Sequence, residues 1–206
     1  MTIRLHRGDL PDQDLKRYTH SAAIDTETMG LNPHRDRLCV VQMSPGDGSA
    51  DVIQIAHGQR DAPNLKKLLA DTNIVKIFHF ARFDLAALSN AFGVMPQPVY
   101  CTKIASRLTR TYTDRHGLKD LVRELLAIDL SKQQQSSDWG AQTLSDAQLS
   151  YAASDVLHLH ALRDKLDAML ARENREGMAR ACFEFLPTRA RLDLSGWEAE
   201  DIFAHS

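Results

Sequence analysis

The sequence predicts an α/β fold with a mixed central sheet flanked by helices and a helical C-terminal part. Three observations predict it. The first third of the chain reads as strands, two of them around a glycine-rich turn. Residues 63–101 alternate short helices with short strands. Past about residue 102 the apolar spacing is helical.

The elements follow in order. Ala22-Ala23-Ile24 is an apolar strand run that ends in the acids of Asp25-Thr26-Glu27. Leu38 to Met43 has the composition of a buried strand, and Asp51 to Ile55 alternates with period two. The turn cluster Ser44-Pro45-Gly46-Asp47-Gly48 between them predicts a hairpin, so the sheet begins antiparallel. Pro63 to Leu69 is a short helix with proline in its first turn. Ile74 to Phe78 is the next strand. Ala81 to Phe92 carries Phe83, Leu85, Leu88 and Phe92 at helical spacing before a stop at Gly93. Val99 to Cys101 is a brief strand. Ser145 with Gln148 has the form of a capping box, and Leu149, Val156, Leu159, Leu166 and Met169 supply one core stripe for the helix it opens.

Bulk properties narrow the function. The chain has 206 residues, 43% hydrophobic and 25% charged, with a net charge of -2. That excludes a histone-like basic binder and an acidic disordered tail, but it leaves nucleic acid open as a substrate. Three widely spaced cysteines, Cys39, Cys101 and Cys182, argue against a disulfide scaffold or a thiolate zinc site. The first residues lack an apolar signal core, and no run is long enough to span a membrane. A reducing cytoplasm is the expected address, and one domain over residues 1–206 is expected, with 172–206 as a C-terminal helix and tail.

The chemistry lies in three acidic pieces. Asp25 and Glu27 are two apart on a strand and project to one face. Asp84 follows a buried strand and opens a helix. Tyr151 and Asp155 are four apart on a helix and share a face. Each piece alone also fits a solvated strand end, a helix cap or a surface hydrogen bond. Together, four converging carboxylates carry enough charge for two divalent ions, and oxygen-only donors favour Mg²⁺ or Mn²⁺ over zinc. Paired ions of this kind serve phosphoryl displacement.

In these blocks the sequence resembles the DEDD exonucleases. Asp25-Thr26-Glu27-Thr28-Met29-Gly30-Leu31 is similar to their D-x-E-x-x-G-L motif, His79 to Asp84 to the second motif, and Tyr151 to Asp155 to the Y-x-x-x-D third motif. That third form marks the tyrosine branch, which includes ribonuclease D. The histidine branch would place His at position 150, which is Ser150. The stretches 32–42, 101–106, 112–118, 132–139 and 201–206 are similar to the short nanoRNase C group. The resemblance implies a ribonuclease-H-like fold, 3′→5′ exonuclease activity on very short RNA with dinucleotides preferred, and a ring-shaped octamer. It implies Asp25, Glu27, Asp84 and Asp155 as metal ligands and Tyr151 as the residue that orients the attacking water. One departure stands out: many relatives carry Asn after the motif histidine, where this chain has Phe80.

Substrate contacts are read from the same blocks. Leu31 is either a core leucine or, as in related exonucleases, a wedge between the last two bases. His79 and Lys103 are expected to contact substrate. Residues 101–123 hold six basic residues against two acidic ones, which suits a solvated helix face or a phosphate-facing wall. Lys132, Gln135 and Ser136 lie in a polar stretch that reads as a solvated loop or as a cap for the substrate 5′ phosphate. The apolar C-terminal segment, from Phe183 to Phe203, either packs back on the domain or forms a homo-oligomer interface. Short RNA is the expected partner, with DNA or structured RNA ends as the alternative and no membrane. A catalytically silent binding module fits less well, since clustered acids are costly without cations. The length, short of the longer relatives' added RNA-binding domains, agrees with short substrates.

Overall fold

The computed structural model describes residues 2–130, 134 and 136–205. Its strands are β1 Thr2–Arg7, β2 Ser21–Thr28, β3 Leu38–Ser44, β4 Ser49–Gln54, β5 Val75–Phe78 and β6 Val99–Cys101. They form one sheet in the order β1-β4-β3-β2-β5-β6. The hairpin expected around Gly46 is present: β3 runs antiparallel to both β2 and β4. The remaining pairings are parallel, so the sheet is mixed as predicted.

The helices are α1 Asp12–Leu15, α2 Pro63–Ala70, α3 Ala81–Phe92, α4 Thr102–Thr109, α5 Leu118–Leu126, α6 Asp146–Leu157, α7 Leu159–Arg172 and α8 Glu176–Leu194. They cover both faces. On one, Ile24, Met43 and Ile53 pack with Leu65, Leu85, Leu88 and Leu186 from α2, α3 and α8. On the other, Ala23, Ala50 and Ile77 pack with Ala153, Val156, Leu159 and Leu162 from α6 and α7. The alternation along β2 therefore sends odd positions towards α6 and even positions towards α3. Small side chains line the α6 contact, so that helix sits close on the sheet.

The structure corrects several expectations. The single helix read after Ser145 is two: α6 ends at Leu157 and α7 begins at Leu159, with His158 (φ -103°, ψ -5°) between them. The turn lets α6 lie over the sheet while α7 packs against α4. Leu149 and Met169 are only half-buried in consequence. Strand β1, which the sequence reading did not include, offers only Ile3 and Leu5 as a short apolar alternation, and polar groups add to its pairing with β4. Asp51, fully buried on β4, accepts from the Tyr18 hydroxyl (2.6 Å) and from Arg17, and lies 2.9 Å from His6 Nε2 on β1. The C-terminal segment divides between its two readings. Phe183 packs on Tyr100 (centroids 4.6 Å apart) and Leu186 is buried, whereas Phe185, Trp197, Ile202 and Phe203 are exposed. Among the described residues no helix is long and apolar enough to cross a membrane.

Candidate active site

The site forms where β2 outruns its neighbour. β2 pairs with β5 only over Ser21–Ala23. Beyond that point β5 ends, the chain turns at Phe80, and α3 begins at Ala81. Asp25 and Glu27 thus project on the α6 side at an open sheet end, and Thr26 projects towards α3. One oxygen each from Asp25, Glu27 and Asp155 lies within 4.8 Å of the others. Asp84, in the first turn of α3, is held beside them by Thr26, whose hydroxyl donates to its carboxylate at 2.7 Å. Asp155 and Tyr151 arrive on α6, and the predicted capping box between Ser145 and Gln148 fixes where that helix starts.

Sequence reasoning missed Gln42. It stands opposite Asp25 across the β2–β3 ladder and donates from Nε2 to the Asp25 carboxylate at 2.6 Å. Its Oε1 is buried without a hydrogen-bond partner. The available signal was a lone amide in the apolar run Leu38–Met43, which only register connects to the acids. Thr26 was missed as well, as the middle residue of an acidic pair.

Electrostatics set the character of the cleft. Burial first, then Asp84, Asp155 and Glu27, push the Asp25 carboxyl well above the usual carboxylate range, with Gln42 partly offsetting them. Burial and then Asp155 and Asp84 raise Glu27 to about 8. Burial raises Asp84 to about 7 against the bond from Thr26, and raises Asp155 to about 7 against a hydrogen bond from Tyr151. Four carboxyl groups that resist ionisation together are short of positive charge. Their oxygen-only donor set fits hard divalent cations. Burial and the surrounding acids also push the Tyr151 hydroxyl up, so it stays protonated at neutral pH.

Of the other predicted residues, His79 and Lys103 line the same cleft of about 330 Å³, together with Lys119 and Phe80. The His79 Nδ1 lies 2.9 Å from the Thr102 hydroxyl, and burial lowers the ring to about 3, so it is neutral. Leu31 is 85% exposed, which removes the core reading, and it is not part of the cleft wall. Ser136 is exposed, and Lys132 and Gln135 lie outside the described residues. The basic stretch 101–123 divides. Arg110 is fully buried, bonded to Glu124, Ser106 and the Arg115 carbonyl, and is therefore structural. Arg123 pairs with Asp120. Lys103 and Lys119 face the cleft, and neither has a carboxylate partner among the described residues.

Comparison with known proteins gives the geometry a family context. A 3′-5′ exonuclease family model matches residues 13–171. Brucella melitensis NrnC is 67% identical over the full length of both chains, with a TM-score of 0.97. Structures of that protein include one with bound Mg²⁺ and one bound to pGG. A ribonuclease D of Granulibacter bethesdensis is 36% identical over 152 residues, 74% of this chain but 38% of that protein. The Escherichia coli RNase D structure is 26% identical with a TM-score of 0.80, covering 93% of this chain and 51% of that one. The chain thus spans about half or less of the ribonuclease D proteins it matches.

Proposed function

The chain belongs to the 3′-5′ exonuclease family, and from that premise we propose that it is a metal-dependent exoribonuclease that degrades very short RNA from the 3′ end, with dinucleotides preferred. The observation that carries this reading is the cluster of Asp25, Glu27 and Asp155, with Asp84 fastened beside it by Thr26, in one cleft with Tyr151. The preference for dinucleotides draws on the likeness to a full-length relative solved with pGG.

Asp25, Glu27, Asp84 and Asp155 would hold two divalent ions, Mg²⁺ or Mn²⁺. Bound there, such ions lower the pKa of water and stabilise a departing 3′ oxygen. The protein's own groups do the rest. Gln42 holds the Asp25 carboxylate in one orientation through its amide. Tyr151, kept neutral, offers a hydroxyl that orients the attacking water as a hydrogen-bond partner and does not serve as a phenolate base. Lys103 and Lys119 bring positive charge to the phosphate backbone. Neutral His79, wedged against Thr102, shapes the wall beside the scissile group. Leu31, free of the core, is available as a wedge between bases. Lys132, Gln135 and Ser136 are proposed as the cap for the substrate 5′ phosphate. The exposed apolar residues Trp197, Ile202 and Phe203 support assembly into a homo-oligomer, an octamer by likeness. Three free cysteines suit a reducing cytoplasm.

The test compares initial rates on 5′-labelled RNAs of two to ten nucleotides and on matched DNA, with Mg²⁺ or Mn²⁺ and with chelator. A sharp maximum at two nucleotides is expected, with activity abolished by chelation or by Asp25→Asn. Equal rates at all lengths, or on DNA, would replace this reading with a broader exonuclease.

A further inference from the structure

Phe80 sits in a backbone conformation that bulky residues avoid. Its φ of 68° and ψ of 44° are left-handed. The other described non-glycine residues with positive φ are Ala127, which caps the C-terminus of α5, and Asn174, just past the end of α7. The left-handed region is routine at such helix ends. Phe80 instead precedes a helix, where extended geometry is the usual choice. Nor is the strain offset by burial, because the residue is 47% exposed. An unfavourable backbone that holds an aromatic ring in water is the kind of feature that clusters at ligand sites.

The surroundings indicate the ligand. Phe80 belongs to the wall of the acidic cleft and also to that of an adjoining cavity of about 430 Å³. Lys103 is shared by both walls, and its ammonium lies 4.3 Å from the Phe80 ring centroid. The far cavity is lined by Arg107, Phe185 and Arg189, the last held by the buried Asp193, and among the described residues no carboxylate belongs to its wall. A chain passing from the acids across this partition meets first an aromatic face beside a cation, then an apolar and basic hollow. That sequence of surfaces matches a nucleotide: a base for the ring, a phosphate for the ammonium. A 3′-5′ exonuclease breaks the bond to the 3′ oxygen of the upstream nucleotide. The upstream nucleoside lies on the side where a longer RNA continues away from the acids, which suits an open partition.

We propose that Phe80 is a stacking platform for the nucleobase immediately 5′ of the scissile phosphate, with Lys103 holding the adjacent phosphate over the same partition. This rests on the exoribonuclease reading above. The platform is tolerant of base identity, because every base has a π-face.

The experiment measures kcat and KM of the full-length protein and its F80A, F80W and F80G variants. The substrates are a 5′-phosphorylated dinucleotide and two analogues, one abasic at the 5′ nucleoside and one abasic at the 3′ nucleoside. F80A is expected to raise KM for the intact dinucleotide about 5- to 150-fold, the range for losing one base–aromatic stack, with a much smaller change in kcat. F80W is expected to restore most of the affinity. The F80A penalty should shrink to a few-fold on the 5′-abasic analogue and persist on the 3′-abasic one. F80G should melt no lower than wild type, since glycine removes the left-handed strain. An equal F80A penalty on intact and 5′-abasic substrates overturns the proposal, as does a loss confined to kcat. A penalty that vanishes only on the 3′-abasic analogue overturns it too. A wild-type protein that hydrolyses none of the three would instead refute the dinucleotide reading on which the proposal rests.

Discussion

Replacing Glu27 with Gln takes one charge out of the acidic cluster while keeping its shape. Burial, then Asp155 and Asp84, lift the Glu27 carboxyl from 4.5 to about 8. At about 1.4 kcal/mol per pH unit, keeping it ionised at pH 8 in the ion-free protein costs at most about 5 kcal/mol. The repulsion is shared, and Asp84 and Asp155 can relieve it by taking up a proton themselves. The cleft is also open to water on one side. An effective gain of about 1–2 kcal/mol is the reasonable expectation. For a chain of this length that corresponds to a melting temperature about 2–8 °C above wild type in chelator. The native carboxyl has the higher pKa, so between 4.5 and 8 the native state binds the proton that the unfolded chain has released. Wild-type stability therefore falls as pH rises through that window. The advantage of Glu27→Gln should be near zero at pH 4.5 and complete by pH 8. Saturating Mg²⁺ should reverse the order. Binding at a hundredfold excess over Kd stabilises the native state by about 2.7 kcal/mol, and the variant lacks one ligand. Thermal melts followed by circular dichroism, with chelator and with Mg²⁺ across this pH range, measure all of this. A variant that melts below wild type in chelator at pH 8, or a gap independent of pH, would show that repulsion at Glu27 does not destabilise the ion-free protein.

Three further outcomes are expected. Tyr151→Phe should lower kcat about 10²-fold with little change in KM or melting temperature, because on the proposed role only an orienting hydroxyl is lost; a KM effect of that size would show a ground-state role. Asp193, buried on α8, accepts from Arg82 at 2.6 and 2.7 Å and from Arg189 at 2.7 and 3.1 Å. Asp193→Ala should cost about 2 kcal/mol, or about 4–8 °C, and should speed proteolysis after residue 195, where the same arginines hold the Trp197 and Glu198 carbonyls. Lys76 is fully buried with its ammonium on the Asp71 and Gln97 carbonyls, and burial lowers it to about 8. Between pH 8 and 10.5 the unfolded chain binds more protons, so stability from this group rises with pH. Urea midpoints of Lys76→Met against wild type should differ in slope across that window and run parallel below it.

Much of the site was legible because its signals are local. Period-two geometry puts Asp25 and Glu27 on one face of β2, helical spacing stacks Tyr151 over Asp155, and the Ser145–Gln148 box starts α6 where expected. What failed was anything decided by which partner the fold presents, whether near or far in sequence. Arg110 reads like its basic neighbours, yet Glu124 and Ser106 draw it into the interior. The break at His158 depends on two helices packing against different partners, and it interrupts no apolar pattern. β1 offers only Ile3 and Leu5 as an apolar signal, and its place at the sheet edge rests on its ladder with β4 and on the buried Asp51 beside His6.

The amino-acid order alone carried the mixed α/β architecture, the three acidic pieces and the resemblance, through local spacings within each piece and the order of the pieces along residues 25–155. Only the tertiary structure decided that β2 runs past β5 to open a cleft, that Gln42 and Thr26 hold two of the acids, and that Phe80 stands in water between two cavities. Those facts depend on strand register and on which helix covers which face. Both arise from contacts between residues tens of positions apart, whose cost and benefit no local pattern records.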